Sequence, residues 1–108
     1  MKIVDIVDYP YCNWITDKKV RHRKKLWVEK NSVKKFVVQL EIETATGYSP
    51  MVRIDSFHGF AHKDEFFPDG RRKRTKIDLK DLKEAYKYAS HEIKENFEIY
   101  VRRWIQTN

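Results

Sequence analysis

Between Asp78 and Asn108 the chain has neither proline nor glycine, and Leu79, Leu82, Tyr86, Ala89, Ile93, Phe97, Tyr100 and Trp104 recur at steps of three and four. That spacing puts all eight on one face of an α-helix. The pattern predicts one long helix from about 78 to 105. Asp78 is the expected N-cap, with Asp81 three positions on as the acidic partner of a capping box. Acids near the start (Asp78, Asp81, Glu84) and Arg102-Arg103 near the end both suit the helix dipole. An apolar stripe of this length needs a matching surface, which the preceding residues must supply.

Those residues alternate with period two. Phe36, Val38, Leu40 and Ile42 face one way, while Lys35, Val37, Gln39, Glu41 and Glu43 face the other. Leu26 and Val28 alternate with Lys25, Trp27 and Glu29, so Trp27 should face outward, and Glu29-Lys30-Asn31-Ser32 reads as a hairpin turn. Ala45 to Pro50 reads as a loop. Val52, Ile54 and Ser56 alternate with Arg53, Asp55 and Phe57; an extended piece follows from Phe60 to Phe67, Pro68-Asp69-Gly70 turns the chain, and a short basic strand spans about 71–76. Residues 2–8 can add an edge strand. Strands in series joined by short loops imply an antiparallel meander. The expected architecture is α+β: one domain over 1–108, a curved antiparallel sheet of about five strands, and the C-terminal helix packed on one face. The other face is left for solvent, a partner or function.

Fifteen aromatics among 108 residues exclude a disordered chain, and a single cysteine excludes an internal disulfide framework. No apolar run approaches the ~20 residues of a membrane helix. Acids at Asp5 and Asp8 stand where a signal peptide would be apolar, so the expectation is a soluble, cytoplasmic protein with no membrane partner. The net charge of +7 is uneven. From Asp78 onward acids and bases balance, and the excess sits in two runs, Lys18 to Lys25 and Arg71 to Lys76. Clusters of this kind attract polyanions by displacing counterions. Arg21, Arg23, Lys24, Lys25, Arg71, Arg72, Lys73 and Arg74 are the candidate phosphate contacts, and Trp27 is the candidate stacking aromatic. A merely solvated face is the bland reading for either run alone; convergence of both on one sheet would favour nucleic acid. His22, inside the first run, is expected to be exposed, and His91 to face solvent from the helix.

The densest group of reactive side chains runs from Arg53 to Asp64 and holds Arg53, Asp55, His58, Gly59, His62 and Asp64. A glycine inside an extended pattern suggests a bulge. A bulge at Gly59 would bring His58 and His62 to one side with Asp64. Two imidazoles so placed suit metal-independent RNA cleavage: a neutral histidine takes the 2′-hydroxyl proton and a protonated one supplies the leaving oxygen. Arg53 would stabilise phosphate charge, and Asp55 or Asp64 would orient an imidazole. A metal on His58, His62 and Asp64 is the weaker option, for no zinc spacing or cysteine ligand accompanies them. The expected assignment is no metal and no cofactor. The structural alternative has His58 capping a turn, His62 on the solvated face and Asp64 paired with Lys63 or a neighbour.

The stretch Val52 to Gly70, with Arg53, Asp55, His58, Gly59, His62, Asp64 and the Asp69-Gly70 turn, resembles a small uncharacterised family of archaea and bacteria carrying R-x-D-x-x-H-G-x-x-H-x-D. More distantly it is similar to the TumE-like toxins of toxin–antitoxin modules. The resemblance implies a small sheet-plus-helix domain with a toxin-type, RNA-directed role and an antitoxin partner. Three readings follow: a toxin-type ribonuclease, a non-catalytic nucleic-acid-binding module, and an interaction domain whose sheet face or edge pairs with a partner or forms a homodimer.

Overall fold

The computed structural model of the chain describes residues 1–57 and 59–107. Six strands form one open antiparallel sheet, β1 (Lys2–Asp8), β2 (Val20–Glu29), β3 (Ser32–Thr44), β4 (Gly47–Asp55), β5 (His62–Phe66) and β6 (Arg72–Lys76), in the spatial order β1-β2-β3-β4-β5-β6. Among the described residues one helix, α1 (Leu82–Thr107), follows. The architecture is α+β, with six strands in place of about five because residues 2–8 pair fully along β2.

Turn chemistry sets the register. Lys30 and Asn31 both have positive φ, the geometry of a two-residue turn whose twist matches its flanking strands, so Glu29 faces Ser32 across the first hairpin. The Ala45–Pro50 loop is shorter than expected. Thr44 pairs with Gly47, only Ala45 and Thr46 connect the strands, and Pro50 lies inside β4. Proline cannot donate to a ladder, and the register slips at Leu40/Glu41, beside the Glu41–Pro50 pairing.

Period-two alternation then decides the faces. Phe36, Val38, Leu40 and Ile42 of β3, with Val52 and Ile54 of β4, are essentially inaccessible. They lie beneath α1, which runs chiefly over β3 and touches β4. The helix contributes Ala85, Ala89, Ile93, Tyr100 and Val101, with Leu82, Tyr86, Phe97 and Trp104 partly buried at the margins. Burying the larger of these side chains, such as Phe36, Leu40, Ile42 and Ile93, contributes ~1.5–3 kcal/mol each, the main stabilisation of the sheet–helix pairing. Two polar anchors fix the helix to β5. Arg103 donates to Glu65 at 2.9 Å, and Lys63 reaches Glu92, which accepts the Tyr100 hydroxyl at 2.7 Å. Burial first, and the Glu92 carboxylate second, push the Tyr100 phenol above its ordinary range.

The helix begins one turn later than the expected start. Asp81 is the cap: its carboxylate accepts the Glu84 amide at 3.0 Å, and its carbonyl accepts the Ala85 amide. Asp78 cannot fill that role, because Ile77 is still bonded to Ala61 alongside the sheet and residues 78–81 carry the chain from the β6 edge back towards β3. Leu79, expected on the apolar stripe, is exposed on that crossing. No helix among the described residues is long and apolar enough to cross a membrane.

Candidate nucleic-acid interface

Residues directly opposite each other in a ladder share a face. The side of the sheet away from α1 therefore collects Asp5 from β1; Arg21, Arg23, Lys25 and Trp27 from β2; Lys35, Val37, Gln39 and Glu41 from β3; Arg53 and Asp55 from β4; His62, Asp64 and Phe66 from β5; and Arg72, Arg74 and Lys76 from β6. The two basic runs do converge on one face. They do so only in part, because the same alternation sends Lys24 and Lys73 to the helix side, beside His22 and Glu65 respectively. Arg71 precedes β6 and is held in the turn, where its guanidinium and amide both bond Asp69.

His22 corrects a second expectation. Far from exposed, it is buried between β2 and the helix, opposite Leu40 and Asp8, and its Nε2 has no hydrogen-bond partner among the described residues. Loss of water, aided by the Lys24 charge and only partly opposed by Asp8, holds its pKa down at about 4. His91 is exposed on α1 as expected.

The cations of the open face divide into those already paired and those left at a recess. Arg21 bonds Glu41, which also takes the Gln39 amide; Gln39 in turn accepts from Arg53 Nε at 2.6 Å. The result is a polar relay crossing β2, β3 and β4. Arg74 forks onto Asp64 at 2.8 and 3.1 Å. Burial would raise the Asp64 pKa, but the Arg74 bonds and charge, helped by His62 and Arg72, outweigh it and hold the carboxyl below its ordinary value. A recess of about 530 Å³ lies towards β2, lined by Asp5, Arg23, Lys25, Trp27, Lys35, Val37, Gln39, Arg53, Asp55 and Phe57. Trp27 and Phe57 meet edge to face at 5.5 Å in its wall, and Lys25 and Lys35 sit over the Trp27 ring at 5.2 and 4.6 Å. Arg23 is tethered only loosely, 3.7 Å from Asp5, with both groups partly exposed.

Of the expected reactive cluster, Arg53, Asp55, His62 and Asp64 do share one face, while His58 lies outside the described residues. The cause is not a bulge within a strand. Gly59, with φ +80°, sits in the 56–61 connection of a hairpin that places His62 directly opposite Asp55. His62 Nε2 stands 3.4 Å from Asp55 Oδ1 and 3.5 Å from Asp64 Oδ2. At 1% exposure, under Phe60, the imidazole is closed to a substrate in this conformation rather than solvated. Asp64 pairs with Arg74, not with Lys63, which points to the helix side.

Asp5, Lys35, Val37, Gln39 and Phe57 complete the recess, none of them a candidate site residue from sequence. Period two puts Lys35, Val37 and Gln39 on the outward side of one strand and Phe57 beside Arg53 and Asp55 on another, while Asp5 carries no such signal. No curated protein and no solved structure matches the chain. Residues 3–108 match the family described as a domain of unknown function, DUF7718, and the chain belongs to that family.

Proposed function

We propose that the open face of the sheet binds single-stranded RNA, with phosphates on Arg23, Lys25, Lys35 and Arg53 and a base against Trp27. The observation that carries this reading is the recess itself, where four cations from three strands surround an aromatic pair. Cations supply sequence-independent affinity through counterion release, and an aromatic wall selects an unstacked base over a closed duplex. Asp55 touches the recess, but the buried His62 offers no edge to a 2′-hydroxyl, so the activity proposed is binding without strand scission. A toxin-type role would then be exercised by occupying RNA rather than cutting it.

The test is fluorescence anisotropy with a labelled single-stranded oligouridine, a duplex of equal length and a salt series. Single strands should bind more tightly than duplex, with a log–log salt slope of roughly −2 to −3 if three or four phosphates are neutralised. Trp27→Ala should weaken binding by about 1–3 kcal/mol, roughly 5- to 150-fold, without changing the thermal midpoint. Lys25→Gln with Lys35→Gln should flatten the slope by about 1.4. No binding at low salt, affinity indifferent to these substitutions, or RNA cut by the purified chain but not by His62→Ala would overturn it.

A further inference from the structure

Asp55 closes β4, His62 opens β5 directly opposite it, and Asp64 follows two residues on along the same face. One donor atom from each lies within 4.8 Å of the other two, and all three side chains are more than nine-tenths buried. Two donors bound at ~2.0–2.2 Å to a tetrahedral ion stand about 3.4 Å apart. His62 Nε2 keeps that separation from both carboxylates, at 3.4 and 3.5 Å.

We propose that Asp55, His62 and Asp64 bind a divalent transition-metal ion of the Zn²⁺ or Mn²⁺ class. The site goes beyond the RNA reading and does not depend on it. One imidazole with two carboxylates is an ordinary donor set for these ions, and the nitrogen disfavours Mg²⁺ and Ca²⁺, which prefer oxygen alone. The supports that orient such ligands are present. Arg74 forks onto Asp64, and the Phe57 amide donates to Asp55 Oδ1 at 3.1 Å. Each carboxylate oxygen carries two lone pairs, so accepting one of these bonds leaves another for a metal. Charge agrees as well. Arg74 offsets one of the two buried carboxylates, the other has no such counter-charge of its own in that pair, and a divalent ion turns the group from −1 to +1. The ion would tie the end of β4 to the start of β5 across the 56–61 connection.

The experiment uses the full chain, dialysed against EDTA and titrated calorimetrically with ZnCl₂, MnCl₂ and MgCl₂. One equivalent of Zn²⁺ or Mn²⁺ should bind at least 100-fold more tightly than Mg²⁺, and the thermal midpoint should rise by on the order of 10 °C at a hundredfold excess over Kd. Asp55→Asn and His62→Gln should each lower affinity at least 100-fold, while His91→Ala on the exposed helix face should leave it unchanged. Absence of stoichiometric binding, binding that survives Asp55→Asn, or binding lost with His91→Ala would overturn the proposal. Should the buried variants fail to fold, ¹¹³Cd bound to the unaltered chain reads the ligands directly. Coupling to the His62 ring supports the site, and coupling to His22 or His91 instead removes it.

Discussion

The two faces of this sheet are built from alternate residues of the same strands, yet they are closed by different means. On the helix side Phe36, Val38, Leu40, Ile42, Val52 and Ile54 disappear under α1 chiefly through apolar area, with polar anchors only at β5. One residue over, Gln39, Glu41 and Arg53 are held by hydrogen bonds and charge, and Asp64 is as inaccessible as the core beside it. The apolar face is energetically stiff, since every methylene removed leaves a void. The polar face is graded: tightly paired at β5, loose around Arg23 and Lys25, and it is at the loose end that a recess remains. Binding surface and structural surface thus differ by how tightly their cations are held by carboxylates, not by how many cations there are.

The comparison breaks first at Phe36. Phe36→Ala should cost about 3–5 kcal/mol in urea denaturation, while its neighbour Lys35→Ala should stay within about 0.5 kcal/mol. Equal costs would mean that the faces are not distinct in kind. Next comes His22, a titratable residue buried on the apolar side. Its folded pKa of about 4 lies below the ordinary ~6.5, so its contribution is present above pH 6.5 and is lost as the pH falls towards 4, where the buried ring must take a proton. At ~1.36 kcal/mol per unit, discounted because solvent still screens part of the ring, roughly 2 kcal/mol should vanish over that interval. His22→Leu should flatten the pH dependence of the unfolding free energy between 4 and 6.5; an unchanged slope would contradict the burial argument. The smallest effect is at the loose end. Asp5→Asn breaks a long, partly exposed pair that solvent screens, so stability should shift by no more than ~0.5 kcal/mol, yet RNA affinity should rise because an acid leaves the recess. A fall in affinity would place the phosphates elsewhere.

Much of this arrangement is legible in the residues themselves. The run from Lys35 to Glu43 declares both faces of β3, and the apolar stripe from Leu82 to Trp104 declares the helix that covers one of them. The helix start is misread by one turn because capping signals are local, whereas the position of the first turn depends on how far the chain must travel back from β6. His22 is misread because a dense basic run hides its own alternation: Val20, His22 and Leu26 are the buried partners of Arg21, Arg23 and Lys25. The recess is half legible. Trp27, Arg53 and Asp55 follow from period two, but Asp5 and Lys35 come from other strands and are brought in by register, which no single segment encodes. The Arg74–Asp64 fork is hidden for the same reason, since it depends on the pairing of β5 with β6.

Spatial order equals chain order throughout the sheet, and the helix comes last. A nascent chain can therefore zip each strand onto its predecessor as it leaves the ribosome, with no long loop to close beforehand. Until α1 has been made, however, the growing sheet carries a greasy, uncapped flank on β3 and β4. Translation stalled before residue 82 would release a sticky, unfinished sheet, so the helix is what turns a correctly zipped ribbon into a manageable one.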